Sequence, residues 1–502
     1  MSYLGTLRGS VALAAALAAT GAQANLSADE VWAAWQAYSA TSGSVTQATL
    51  SRDGATLTAS DVVISSDADE VEVAVRVDRI DMTEQADGTV AVTMSDTYSM
   101  EVTGDFGQRL VASIRQPGMS LTVSASDTGL NHAIAAPEVT IRLEELSGPD
   151  APDALEMSVS ALGVAGFYDI PRDPGGPFSS LISIGAANAK LDARDGSDVI
   201  DIDYAATGLR MSFGASGLDL MEMVEAGDMA GALSAGLGFD LGLAYDTLRY
   251  GFEMTEFGER NAASGSSMSG ESRFVLDDTQ LSFRTTSRNA ELSVSGSEIP
   301  LPEVGMSAAQ IAYGFMVPTS GAPTPQGVEL LVRLVDVVLP DDVWAMADPS
   351  GELPRGPATV ILDLLGSVNL PSDLFSMETM FGYMMGGPME AVQPVSLDVR
   401  ELQVRAGGAE LTGIGSFTFD PDDLDTFDGL PRPEGTLDLA LSGGNALLDT
   451  LVGMGIIPED QAMAARMVLA LFARPGEGPD QLLSTLEVRE DGSVFANGMR
   501  IQ

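Results

Sequence analysis

The stretch Val71-Glu72-Val73-Ala74-Val75-Arg76-Val77-Asp78 decides the fold. Every second residue is valine, and the residues between them are mostly polar. A side-chain period of two is that of a β-strand, so one face of this segment is apolar and the other is wet. The alternation returns far along the chain. Ile200, Ile202 and Tyr204 interleave with Asp201 and Asp203, and Leu397 and Val399 repeat the theme before Leu437, Leu439 and Leu441. Strands with one buried and one solvated face are the habit of antiparallel sheet. The expected fold class is therefore α+β: long, mostly antiparallel β-sheets with helices packed on one face or at the ends.

A weak internal similarity points to meandering hairpins. Gly54-Ala55-Thr56-Leu57-Thr58, Asn289-Ala290-Glu291-Leu292-Ser293 and Gly408-Ala409-Glu410-Leu411-Thr412 share a small residue, Ala, Leu and a hydroxyl. Each reads as a Gly- or Asn-containing turn that opens a strand.

Helices are expected at five places. Ser27-Ala28-Asp29-Glu30 is a capping box, and Val31, Trp35 and Tyr38 follow at i, i+4 and i+7, with Trp32 widening the stripe. Leu218 to Ala235 is rich in Met and Ala. Asp341 to Met346 is a short helix ended by Asp348-Pro349, and Asp373 to Met385 is dense in Met and Phe. Asn445 to Val452 and Glu459 to Arg474 form a pair around Gly453-Met454-Gly455, with Pro458 at the start of the second and Pro475-Gly476 after it. Trp32, Trp35 and Trp344 each fall on an apolar helical stripe, so all three are expected to be buried anchors.

Residues 1–24 read as a secretory signal. Arg8 is the only charge there, Val11 to Thr20 is a short apolar run, and Ala22-Gln23-Ala24 is a small-x-small cleavage site before Asn25. Retention of the segment as an anchor is the alternative. No later segment is long and uninterrupted enough to be an integral membrane span. The rest divides at Pro300-Leu301-Pro302 into a strand-rich region, 25–300, and a C-terminal α+β region, 301–502, unless one continuous sheet runs through both.

The 502 residues carry a formal charge of −47, from 25 basic and 72 acidic side chains. Nucleic acid is excluded as a partner, because phosphate binding needs a basic surface. The acids fall mostly on the solvated sides of the alternating strands. Cysteine is absent, and His132 is the only histidine. Those two residue types supply most nucleophiles, general bases and zinc ligands.

Three further stretches carry a resemblance. One is the Trp32/Trp35 helix. Another is Leu339-Pro340-Asp341-Asp342-Val343-Trp344 with Asp348-Pro349-Ser350-Gly351 and Leu353-Pro354-Arg355-Gly356-Pro357. The last is the tail, Gly476-Glu477-Gly478-Pro479-Asp480, Glu490-Asp491-Gly492 and Ala496-Asn497-Gly498-Met499-Arg500-Ile501-Gln502. From the first helix to the end, the chain resembles the bacterial family catalogued as domain of unknown function 2125 (DUF2125). The tail also resembles that of a related periplasmic family of unknown function. The resemblance implies an envelope protein with long sheets and supplies no catalytic residues.

The candidate chemistries are thin. His132, in Gly129-Leu130-Asn131-His132-Ala133, reads as a turn residue with no nucleophile or Gly-x-Ser-x-Gly elbow beside it. Lys190 reads as an exposed strand lysine. Asp420-Pro421-Asp422-Asp423-Leu424-Asp425 has Leu424 where a calcium loop needs oxygen, so it reads as a solvated acidic turn. Carboxylate pairs abound, but only 6% of the residues are aromatic, and sugar sites are usually built on aromatic platforms. Outer-membrane barrels carry aromatic girdles, and the same scarcity, with the helices, argues against that architecture. No cofactor, no metal site and no enzymatic activity are expected. Phe375, Met377, Met380, Phe381, Met384 and Met385 offer an adaptable apolar surface. The function expected is thus a periplasmic or otherwise exported, non-enzymatic protein that binds an apolar ligand such as lipid in a sheet-lined groove. A scaffold that docks another envelope protein is the second reading, and a carboxylate-based hydrolase the third.

Overall fold

The computed structural model describes residues 25–502 apart from 42, 69, 70, 105, 106, 150, 174, 377, 378 and 380–391. Residues 1–24, read as a secretory signal, and most of the expected Asp373–Met385 helix therefore lie outside the described residues. Strands take up 62% of the chain and helices 13%, so the protein is mostly antiparallel β and the α+β expectation overstates the helices.

The strands form one ladder in chain order. Val45–Asp53 pairs with Thr56–Ala68, and that strand pairs with Val71–Glu84. Val71–Glu84 then faces two collinear strands, Thr97–Gly104 at its start and Val90–Met94 at its end. Gly129–Ser147 is flanked in the same way by Arg109–Arg115 and Ser120–Ala125. The meander continues through Ala154–Pro171, Phe178–Asp195 and Asp198–Ser216. It runs on to Arg432–Ser442 and Gln481–Val488 near the C-terminus. Most strands pair with the next one in the chain, whereas Val90–Met94 with Ser120–Ala125 and Gly238–Tyr245 with Ser269–Leu276 reach past intervening strands. Among the described residues the first strand pairs only with the second, and the ladder does not close on itself. Gln280–Gly296 and Val304–Pro318 pair from Gln280↔Pro318 to Val294↔Val304, so the strands on either side of the Pro300-Leu301-Pro302 loop belong to one sheet.

A crease crosses the long strands. Asp61 (φ 53°), Gly163 (φ 64°), Gly208 (φ 61°), Asn289 (φ 48°) and Asp336 (φ 52°) take left-handed backbone inside strands. Such a residue breaks the pleat, so the positions that share a face change from odd to even numbers. The sequence changes parity at the same points. Leu281 and Phe283 precede Asn289, and Leu292 and Val294 follow it. Leu57 and Ala59 lie before Asp61 and Val62 and Ile64 after it, yet all four belong to one core cluster. The apolar face therefore stays on one side of the sheet through the crease. Asn289 is the correction here: it was read as opening a strand, and it lies within Gln280–Gly296.

Helix α1, Ala28–Thr41, begins with the capping box as expected. The Glu30 N–H donates to Ser27 Oγ at 3.2 Å, and the Ser27 N–H donates to Glu30 Oε2 at 2.9 Å. Leu26, Val31 and Trp32 bury against Leu57, Val77, Met82, Val92 and Val123, forming the larger core. Each such aliphatic side chain contributes about 1.5–3 kcal/mol.

The expected helix Leu218–Ala235 is broken. A 3-10 turn, Leu218–Leu220, leads into α2, Met221–Glu225, and α3, Met229–Ser234, follows separately. Gly227 at φ 87° ends α2, and the Asp228 carboxylate accepts the Gly231 N–H at 2.9 Å to start α3. α4 is Asp341–Ala347, and Trp344 on it is half-buried, not the buried anchor expected. α5, Gly444–Gly453, and α6, Glu459–Phe472, form the expected pair. Asp480 caps α5 by accepting the N–H groups of Asn445 and Ala446 at 3.2 and 2.9 Å.

Candidate functional site

Residues directly opposite in an antiparallel ladder point to the same face. Following the register from strand to strand gives a single apolar row. Phe213 lies opposite Leu241, Leu241 opposite Phe274, and Phe274 opposite Phe283. Phe283 is then opposite Phe315, Phe315 opposite Leu330, Leu330 opposite Leu364, and Leu364 opposite Val399. The next row but one in each strand lies on the same face and includes Ile311, Leu334, Val360, Val404, Leu411 and Leu441. Beyond the crease the face continues as Ile202, Phe252, Ala263, Val294 and Val304.

This face is wet. Leu241 is 41% exposed, Phe315 40% and Leu330 42%. Scattered exposed leucines need no explanation, but a contiguous apolar row of this extent is a candidate binding surface. The opposite face is charged. Arg273 grips Asp240 with two hydrogen bonds of 3.0 and 2.7 Å, and Arg284 binds Glu329 at 2.7 Å. Arg333 bridges Asp363 at 3.1 Å and Glu401 at 2.6 Å. These cations are paired with neighbours of opposite charge on that face.

The N-terminal end of the apolar face is occupied by α1. His132 is opposite Val123 and Tyr168, Tyr168 is opposite Ser180, and Ser180 is opposite Phe213, so His132 stands in the aromatic row itself. It is fully buried. Trp35 Nε1–H donates to His132 Nε2 at 2.9 Å. That bond fixes the tautomer: Nδ1 carries the proton and donates to the Leu130 carbonyl at 3.1 Å. Tyr168 stacks on the imidazole with centroids 4.5 Å apart and planes 7° from parallel. Burial pushes the imidazole down to about 4 and the Tyr168 hydroxyl up to about 12. His132 is therefore neutral at pH 7 with both nitrogens engaged. The reading of His132 as a turn residue is corrected: it lies within strand Gly129–Ser147 and ties Trp35 of α1 to the sheet. Trp35 is half-buried and does its work through this hydrogen bond, while Trp32 is the buried tryptophan, 5% exposed.

The apolar-surface candidates are only partly placed. Phe375 packs with α2 and α3 against Ala232, Leu233 and Leu237. Phe239 and Leu276, from the ends of the apolar face, join the same cluster. Met377, Met380, Phe381, Met384 and Met385 lie outside the described residues.

The other candidates keep ordinary partners. Lys190 is an exposed strand residue opposite Asp203 and Ser158. In the acidic loop, Asp420 and Asp423 bind Arg432 at 2.7 and 2.9 Å. Hydrogen bonds from Thr426, and then Arg432, hold the Asp423 carboxyl below its usual range. Among the described residues no group of three His, Cys, Asp or Glu side chains is placed to hold a metal ion.

The apolar row itself was missed as a site. Its signal was the alternation in each strand, but its continuity depends on register, which no single strand carries.

No helix of the described residues is long and apolar enough to cross a membrane. No curated protein and no solved structure matches the chain significantly. One family model does, described as an uncharacterized protein conserved in bacteria (DUF2125), and it matches residues 250–501, half of the chain. The match takes in the Leu339–Pro357 stretch and the tail, and begins after the Trp32/Trp35 helix. The chain belongs to the DUF2125 family of bacterial proteins.

Proposed function

We propose that the protein is an exported, periplasmic, non-enzymatic lipid-binding protein that holds acyl chains along the apolar face of its sheet. The observation that supports this reading most is the partly exposed row from Phe213 to Val399, which passes through seven successive pairings. A flat apolar surface left in water is costly, and covering it with hydrocarbon recovers about 25 cal/mol for each Å² removed from water. The helices fit the same picture: α1 closes the face at one end, and α2 and α3 sit at the strand ends. The residue inventory agrees, since the one imidazole is buried and both its nitrogens are used.

A partner-binding reading has one observation of its own. The outer edge of Val45–Asp53 pairs with no strand among the described residues, and such an edge accepts an added strand. It does not account for the apolar face.

Protein purified from its native envelope, extracted with organic solvent and analysed by mass spectrometry, is expected to release lipid in at least stoichiometric amount. A solvent extract free of lipid, together with delipidated protein that takes up no fatty acid, would contradict the proposal.

A further inference from the structure

We infer that the cavity between α1 and the ends of strands Gly129–Ser147 and Ala154–Pro171 seats the zwitterionic head of an amphiphile, with Arg172 on its anionic group and Glu30 on its cationic one. The inference rests on the lipid-binding reading above and names the head that the apolar face alone leaves open.

The cavity measures about 480 Å³. That lies within the ~300–1,000 Å³ of ordinary small-molecule sites. Its origin is legible in the helix. Val31 and Trp32 fill the space beneath one side of α1, whereas Ala33, Ala34 and Ala37 line the cavity and leave it open. Leu130 and Ile170 form the sheet wall. Leu130 precedes His132 by two residues on the same strand, so one wall of the cavity belongs to the apolar face of the sheet.

Two charges line it, one from each wall. Glu30 stands on the helix side, its Oε2 taken by the Ser27 N–H and hydroxyl at 2.9 and 2.7 Å. Arg172 stands on the sheet side, its backbone N–H bound to the Thr128 carbonyl at 2.9 Å. Its guanidinium enters none of the ion pairs among the described residues, in a chain where most arginines are paired. An anionic head meets Glu30 and the field of a chain of charge −47. A cationic head meets Arg172. A head carrying both charges satisfies both walls.

The test is a titration with dodecylphosphocholine below its micelle concentration, read by the fluorescence of Trp32 and Trp35, with dodecyl maltoside as the uncharged comparison. Arg172→Gln and Ala37→Leu are each expected to weaken dodecylphosphocholine about tenfold and to change dodecyl maltoside less than about twofold. Arg172 is exposed, so its variant folds as the parent does. Tight binding of dodecylphosphocholine that neither variant alters overturns the headgroup site and leaves the apolar face as the ligand surface. Failure of the parent protein to bind either detergent overturns the lipid-binding reading and this inference with it.

Discussion

Replacing His132 with alanine lowers the stability of the protein by about 2–4 kcal/mol, read as a shift in the urea midpoint at pH 7. The side chain is fully buried, so its removal leaves a cavity beneath α1. It also leaves the Trp35 Nε1–H without its acceptor, and the face of Tyr168 without its stacking partner. The effect carries a pH signature. The imidazole titrates near 6.5 when unfolded and near 4 in the fold. Between those values the unfolded chain binds more protons than the native one, so stability rises with pH through the window and falls on acidification. The full swing is about 3 kcal/mol, and it lies below pH 6.5. The His132→Ala protein lacks this contribution, so the gap between parent and variant is expected to narrow from pH 7 to pH 4.5. A gap that is constant across that range, or absent at pH 7, would show that the histidine is not seated as described.

The second large effect is on binding, without one on stability. Phe315→Asp and Leu241→Asp, made separately, are each expected to weaken a fluorescent long-chain fatty acid by about tenfold or more, because hydrocarbon would lie on an unpaired carboxylate. Both side chains are some two-fifths exposed, so thermal stability is expected to change by less than about 1 kcal/mol. Lys190→Gln, on the opposite face, is the control and leaves affinity unchanged. Equal losses in all three proteins would detach the ligand from the apolar face.

Much of the fold was legible because its rules are local. The Ser27–Glu30 box starts α1 where the residue types require it, and the valines of Val71–Glu84 mark a half-buried strand that the structure places in the core. The errors come where one local rule hid another. Asn289 looked like a turn because asparagine tolerates left-handed backbone; it uses that tolerance inside a strand, where the parity of the apolar residues switches. The same parity argument, applied to Leu130, His132 and Ile134, would have put His132 on the apolar face, but the Gly129 and Asn131 beside it suggested a turn. Helix Leu218–Ala235 failed at Gly227 and Asp228, two residues that stop and restart helices. Trp344 lies on a helix of only seven residues, too short to bury both its sides. The candidate site was the least legible part. Its rows run across strands, perpendicular to the direction in which a sequence is read, and only the hydrogen-bond register joins Phe213 to Val399.

The central claim is that the apolar face holds hydrocarbon. A photoactivatable fatty acid with a diazirine in its tail, irradiated with the purified protein and mapped by peptide mass spectrometry, tests it directly. Labelled peptides are expected from the strands that carry Phe283, Phe315, Leu330 and Leu364, at side chains of that face. Labelling confined to the charged face around Arg284 and Arg333, or to Met463, Met467, Val468 and Leu471, which α6 exposes, with Phe283, Phe315, Leu330 and Leu364 unmarked, would contradict the account.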